Sequence, residues 1–228
     1  MCGRFTLRRA DRLRIDRIDT YEFLQSPPRY NIAPTQKVWA VTETEDGERS
    51  LALFQWGLIP SWSSTPVGLI NARAESIETK LSFKDAFKRR RCLIPADGFY
   101  EWERLGKAKQ PYYFLMKDGA QFSFAGIWDE WRFNGNSISS CAIVTTTANE
   151  VLATIHNRMP VILSAAGEAT WLRNNTKASD LHDLLLPTWD SEMEGFPVSQ
   201  RVNSAQEDGP DLTERVEHGE GLKQRMLF

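Results

Sequence analysis

Cysteine and histidine are scarce in this chain of 228 residues, at three of each. Cys2, Cys92 and Cys141 lie far apart, with no CxxC pair, which excludes a disulfide framework and suits a reducing cytoplasm. His156, His182 and His218 are too scattered for a zinc pattern, so no metal or cofactor is expected. No apolar run approaches the ~20 residues of a membrane span. The arginine-rich start (Arg4, Arg8, Arg9, Arg12, Arg14) lacks the apolar core of a signal peptide. A cytoplasmic location follows as the expectation, nucleoid-associated in a prokaryote. Positive charge is not in excess either: the net charge is −2, so any nucleic-acid binding needs a local basic patch. Internal repeats are absent.

What is present suits a globular domain. Hydrophobic residues make up 41% and charged residues 25%, enough for one sizeable core. Short β-branched or aromatic runs at residues 38–42, 51–56, 92–95, 112–116, 122–128 and 141–147 predict strands. Helices are predicted at 82–91, with Phe83 and Phe87 at i,i+4, and at 149–156, with Asn149 as N-cap. Shorter ones are predicted at 164–172 and 179–186. The pattern is a β-rich α+β domain over residues 1–203. From residue 204 to 228 the composition turns to Glu, Asp, Gly and Gln, which predicts a flexible polar tail.

Cys2 stands directly behind the initiator methionine. Removal of Met1 leaves an α-amine of pKa ~8 beside a thiol of ~8.5. Such an amine condenses with an aldehyde to a Schiff base, and the thiol then closes a five-membered thiazolidine. Polar clusters elsewhere suit this chemistry. If Leu69-Ile70-Asn71-Ala72-Arg73-Ala74-Glu75 is a strand, Asn71, Arg73 and Glu75 share a face. Glu101, between aromatic residues in Gly98-Phe99-Tyr100-Glu101-Trp102, is set for a raised pKa and a general-acid role. His156 closes its helix ahead of Asn157-Arg158-Met159-Pro160, and Arg29-Tyr30-Asn31-Ile32-Ala33-Pro34 reads as an irregular loop. Purely structural readings stay open beside these: Glu101 as a rim residue paired with an arginine, His156 as a helix C-cap, Arg73 as the partner of Glu75. The basic run Lys88-Arg89-Arg90-Arg91 reads as a solvated helix end.

Together these segments resemble the SOS-response-associated peptidase (SRAP) family, which forms DNA–protein crosslinks at abasic sites. The resemblance runs through Met1-Cys2-Gly3-Arg4, residues 29–34, Trp56-Gly57-Leu58-Ile59-Pro60-Ser61-Trp62, 69–75, 90–102, Gln110-Pro111-Tyr112, 125–128 and 155–163. It implies a barrel-like, mostly antiparallel sheet flanked by short helices. It also implies loss of Met1 and attack by Cys2 on C1′ of a ring-opened deoxyribose in single-stranded DNA, giving a thiazolidine. On the same grounds Asn71 orients Cys2, Glu101 moves protons and His156 acts on the sugar oxygen. Arg4 and Arg73 match positions that contact phosphates in the family, and guanidinium chemistry adds Arg158, two residues past His156, as an expected third, with Trp62 and Pro34 expected to stack on or wedge between flanking bases. The sequence departs from the pattern at Ser63-Ser64, where some relatives carry a second aromatic, and at Phe196, where relatives often have His.

Two other function classes remain open. One is a thiol peptidase with Cys2 as N-terminal nucleophile, of which self-removal of Met1 is a minimal form. The other is a non-catalytic single-strand binding module. A monomer is expected. The terminal Gly221-Leu222-Lys223-Gln224-Arg225-Met226-Leu227-Phe228 resembles a sliding-clamp motif, in which Leu227 and Phe228 fill an apolar pocket and Gln224 bonds its rim.

Overall fold

The computed structural model describes residues 2–9, 21–44, 46–187 and 190–219, and short strands dominate them. In chain order these are β1 (Arg4–Leu7), β2 (Arg29–Ile32), β3 (Lys37–Glu43), β4 (Arg49–Trp56), β5 (Asn71–Arg73), β6 (Arg91–Ala96) and β7 (Gly98–Leu105). There follow β8 (Ala108–Met116), β9 (Phe122–Phe133), β10 (Asn136–Thr147), β11 (Arg158–Pro160), β12 (Ile162–Leu163) and β13 (Met193–Pro197). The helices are α1 (Tyr21–Leu24), α2 (Lys84–Arg89), α3 (Glu150–Ala153), α4 (Ala165–Leu172) and α5 (Ala178–Asp183).

Pairing of β3, β4, β10, β9 and β6, each with the next and β6 back with β3, closes a barrel. A second, antiparallel sheet has the order β13-β8-β7-β1-β2. The α+β, β-rich, barrel-like architecture is therefore as the sequence predicts. Alternation along each barrel strand divides the apolar residues between two cores. Cys92, Ile94, Cys141 and Ile143 pack with Phe5, Phe99 and Phe114 of the second sheet. Leu93, Ala125, Ile127 and Val144 pack with Phe87, Trp171 and Leu181 of the helices. No helix among the described residues is long and apolar enough to cross a membrane.

One excursion from the barrel matters for the site. Strands β4 and β5 both run parallel to β10, at Ser140–Cys141 and at 143–145, with residues 57–70 looping out between them. A Leu58–Leu69 bridge closes the neck of that loop. Gly57 there has φ +132°, and a Cβ on Gly68 would come within 2.6 Å of its carbonyl oxygen, so glycine is required at both positions. Trp62 rides on this loop, 58% exposed. Asp129 Oδ2 accepts from the Ser61 N–H at 2.9 Å, and Ser63 O accepts from Trp131 Nε1 at 2.7 Å, so the loop is anchored on both flanks of Trp62.

Four expectations change. Residues 29–32 form strand β2 rather than an irregular loop, because β1 supplies a partner for their backbone. The helix predicted at 82–91 ends at Arg89, because Arg91 turns inward to begin β6. Arg91 is accordingly buried, not part of a solvated helix end. The stretch 204–219, predicted as flexible tail, packs on the domain: Leu212 is fully buried and Val198 bridges to Arg215. Asp208 Oδ1 accepts from the Tyr30 and Asn31 N–H groups, at 2.5 and 2.9 Å, an anchor that composition does not reveal. Residues 220–228, with Gln224, Leu227 and Phe228, lie outside the described residues.

Candidate active site

Cys2 stands two residues before the start of β1, and its side chain is fully buried. In the β1–β7 ladder Arg4 faces Tyr100 and Phe5 faces Phe99. One step further along that register sets Glu101 against Gly3, next to Cys2. Phe99 and Glu101 alternate onto the same face of β7. Glu101 is 2% exposed, and burial holds its carboxyl above the ordinary carboxylate range, against the pull of nearby His156. Burial likewise pushes the Cys2 thiol far up, and the Glu101 charge adds to that. A thiol so placed stays protonated at neutral pH.

Asn71 opens β5, paired with Ile143 of β10. Its Nδ2 donates to the Cys2 carbonyl oxygen at 2.9 Å, tying the N-terminal segment to the barrel. Its Oδ1 is buried without a hydrogen-bond partner among the described residues. An unmatched buried acceptor costs about 1–3 kcal/mol, so it is tolerated where a further donor is to arrive.

His156 follows α3, whose N-cap is Asn149 as predicted, with the Leu152 N–H donating to Asn149 Oδ1 at 3.1 Å. His156 Nδ1 accepts the Arg158 N–H at 3.0 Å. The same Nδ1 lies 3.2 Å from the Arg158 carbonyl oxygen, to which it donates when it carries a proton, so its role depends on the tautomer. A cleft of about 440 Å³ opens beside the imidazole, lined by Trp102, Glu103, Arg104, Thr154, Ile155 and Asn157.

Of the arginines, Arg73 is exposed and Arg4 half-buried. Arg4 donates from Nη1 to Gly3 O at 2.9 Å and from Nη2 to Asn203 O at 3.4 Å. Arg158 is already engaged, its Nη1 and Nη2 reaching the two Glu75 carboxylate oxygens at 2.7 and 3.0 Å. Glu75 thus pairs with Arg158, where the sequence left Arg73 open as the partner of Glu75. The cause is local: β5 ends at Arg73 and the chain turns into a 3-10 turn at Ala74–Ser76, which takes Glu75 off the strand face. Pro34 lies just before Thr35, a β-branched residue held at φ 74°. That strained turn is fixed by the Thr35 N–H donating to Trp56 O at 2.8 Å, next to the root of the Trp62 loop.

The sequence reading misses Asn203, whose Oδ1 accepts the Trp102 Nε1–H at 2.7 Å while its carbonyl meets Arg4. Asn31, fully buried, holds that segment by donating from Nδ2 to Ser204 O and Glu207 O at 2.8 Å each. No local pattern marks Asn203, since its partners lie about a hundred or more residues away. Among the described residues no group of three or more His, Cys, Asp or Glu side chains could hold a metal ion.

Comparison with known proteins gives a consistent picture. The model of the SOS response associated peptidase family matches residues 1–205. Abasic site processing protein YoaM of Bacillus subtilis is 41% identical over 227 residues, covering 96% of this chain and all of the relative. Abasic site processing protein YedK of Escherichia coli is 30% identical over 226 residues, covering 95% of this chain and all of YedK. The crystal structure of a Bacteroides thetaiotaomicron protein superposes with a TM-score of 0.81 at 26% identity, over 94% of this chain and all of that one.

Proposed function

The chain belongs to the SOS response associated peptidase family, and from that premise we propose that it processes abasic sites in single-stranded DNA by bonding to them covalently through Cys2. The observation that carries the reading is Asn71 pinning the Cys2 carbonyl at 2.9 Å, with Glu101 buried beside Cys2. That YoaM and YedK are named abasic site processing proteins supports it.

The chemistry runs in three steps. The His156 imidazolium gives its Nε2 proton to O4′ as the C1′–O4′ bond of the sugar breaks, while the C1′ hydroxyl passes its proton to the Glu101 carboxylate and becomes an aldehyde. The Cys2 amine, free once Met1 is gone, adds to C1′, and Glu101 protonates the departing hydroxyl so that water leaves and an imine remains. The Cys2 thiol then adds across the C=N bond, its proton passing to nitrogen, and the ring closes as a thiazolidine. In this sequence the amine attacks first, so a thiol kept protonated by burial is no obstacle. A thiol peptidase needs the thiolate at the outset, which the same burial opposes.

DNA binding on this reading uses Arg4, Arg73 and Arg158 for phosphates, with Trp62 and Pro34 at the flanking bases. Gln224, Leu227 and Phe228 dock to a sliding clamp, which delivers the protein to exposed single strands in the cytoplasm or nucleoid. A peptide of residues 215–228 then binds the host's clamp by calorimetry, and its Leu227→Ala, Phe228→Ala version does not.

Intact-mass measurement tests the crosslink. The mature protein is expected to lack Met1 and, with an abasic oligonucleotide, to gain the oligonucleotide mass less one water in a heat-stable adduct. Cys2→Ala keeps an amine and yields an adduct only after borohydride reduction. Equal heat-stable adduct from Cys2→Ala and wild type overturns the thiazolidine. No adduct from either leaves the thiol peptidase and the non-catalytic binding module.

A further inference from the structure

Arg158 has two sets of partners of different character. On one side are fixed groups of β10: Nη2 donates to the Thr145 carbonyl at 2.5 Å and its hydroxyl at 3.3 Å. On the other is the carboxylate of Glu75, held by both Nη atoms in a fork. The guanidinium side chain is 13% exposed, the Glu75 side chain 52%. So the carboxylate is the outer member, standing between Arg158 and solvent. It is carried on the short 3-10 turn at Ala74–Ser76. Arg73, two residues back, is exposed and close enough for its charge to act on Glu75.

We propose that Glu75 stands in for a DNA phosphate: it occupies the Arg158 fork in the free protein and yields it to a backbone phosphate of single-stranded DNA. The inference rests on the DNA-binding reading above. A planar guanidinium presents the same pair of N–H groups to a carboxylate and to a phosphate, so the exchange needs no new geometry at Arg158. Thr145 holds the guanidinium in place while its outer partner changes. Glu75 is half in water already and swings out at small desolvation cost. The device sets a threshold, because a polyanion must displace an internal carboxylate before it gains this contact. It also bears on the chemistry. The Arg158 N–H holds His156 Nδ1, so a phosphate on Arg158 is tied through one residue to the imidazole over the sugar.

The test is equilibrium binding of undamaged single-stranded DNA, by fluorescence anisotropy across a salt series. Such DNA offers no aldehyde, so a failure of the Cys2 chemistry leaves this equilibrium untouched. Glu75→Gln and Glu75→Ala are expected to bind more tightly than wild type at low salt. Their plots of log affinity against log salt are expected to run parallel to wild type, because the bound state neutralises the same phosphates, and to lie above it. Glu75→Asp, which keeps the carboxylate, stays near wild type. Adding Arg158→Ala to Glu75→Gln abolishes the gain, and Glu194→Gln, an acid-to-amide change at the Arg215–Glu194 pair, does not reproduce it. An unchanged affinity overturns the proposal, as does a gain that survives loss of Arg158. Weaker binding with a lower Tm overturns it too, by making Glu75 a structural partner only.

Discussion

Glu101 is a charge placed where water is excluded, and its two consequences run in opposite directions. For catalysis, a carboxyl held above its ordinary range keeps a proton nearer neutral pH, where Schiff-base chemistry needs a donor. Glu101→Gln is therefore expected to slow adduct formation about 100-fold while leaving affinity for undamaged DNA nearly unchanged. His156→Ala is expected to slow it as well. For stability, the folded protein holds this proton more tightly than the unfolded chain does. The contribution of Glu101 to folding is neutral while the carboxyl is protonated in both states. It turns unfavourable as pH rises from the ordinary carboxylate range, ~4.3, through the raised folded value. Glu101→Gln should thus raise Tm at pH 7, and the gain should vanish below about pH 4. Thermal scans across pH check the sign; a variant less stable than wild type at pH 7 means the carboxylate is a net structural asset. At this scale the sequence singled out Cys2 by its place behind Met1 and Asn71, Glu101 and His156 as polar residues within largely apolar segments, and the fold brings Asn71 and Glu101 to Cys2. Glu75 was misread because the break after Arg73 is a property of the turn, which period-2 alternation does not register.

Arg91 shows how an element boundary can hide inside a charge run. In sequence it is the last of four consecutive cations. In the fold it is 4% exposed and its guanidinium donates to the carbonyls of Phe87, Lys88, Trp171 and Arg173 at 2.6–2.9 Å. Those carbonyls belong to the C-terminal ends of α2 and α4, which have no helical partner of their own. One planar fork thus terminates two helices and fixes both to the first residue of β6. Arg91→Met leaves the carbonyls buried and unpaired, at a cost of about 3 kcal/mol. Arg91→Lys recovers little of this, since a single ammonium on a flexible stem does not span four acceptors. Denaturant titration of both variants measures the effect; a loss under ~0.5 kcal/mol for Arg91→Met shows that the helix ends find other partners. Strands rich in β-branched or aromatic residues, such as β3, β4, β9 and β10, were readable from sequence. Strands β1, β2 and β7 were not, because β1 and β2 have only four residues each and β7 carries Glu101, Glu103 and Arg104.

On the scale of the molecule, the C-terminal stretch separates composition from structure most clearly. Residues 204–219 are polar and rich in turn formers, which predicts disorder, yet Leu212 is fully buried beside Tyr100 and Val202. What orders them is long-range pairing: Asp208 on β2, Asn31 on the carbonyls of Ser204 and Glu207, and Arg201 on Asp211 at 2.5 Å. Sequence patterns report local periodicity, so bonds across about 170 residues leave no trace in them. The same segment braces the rim of the site through Asn203. Two truncations separate these roles. Ending the chain after Asn203 strips Leu212 and Asp208 from the domain. Leu212 alone accounts for about 2 kcal/mol of burial, or roughly 4–8 °C in Tm. Exposure of Tyr100 and release of the segment behind Asn203 should also weaken single-strand binding. Ending it after Gly219 keeps every contact described above and removes Gln224, Leu227 and Phe228. That version is expected to match the full chain in Tm and in adduct formation, while losing capture by an immobilised clamp. If the chain ending at Asn203 melts within ~1 °C of the full one and binds single strands equally well, the packed segment is dispensable both to the fold and to the placing of Asn203 against Arg4 and Trp102.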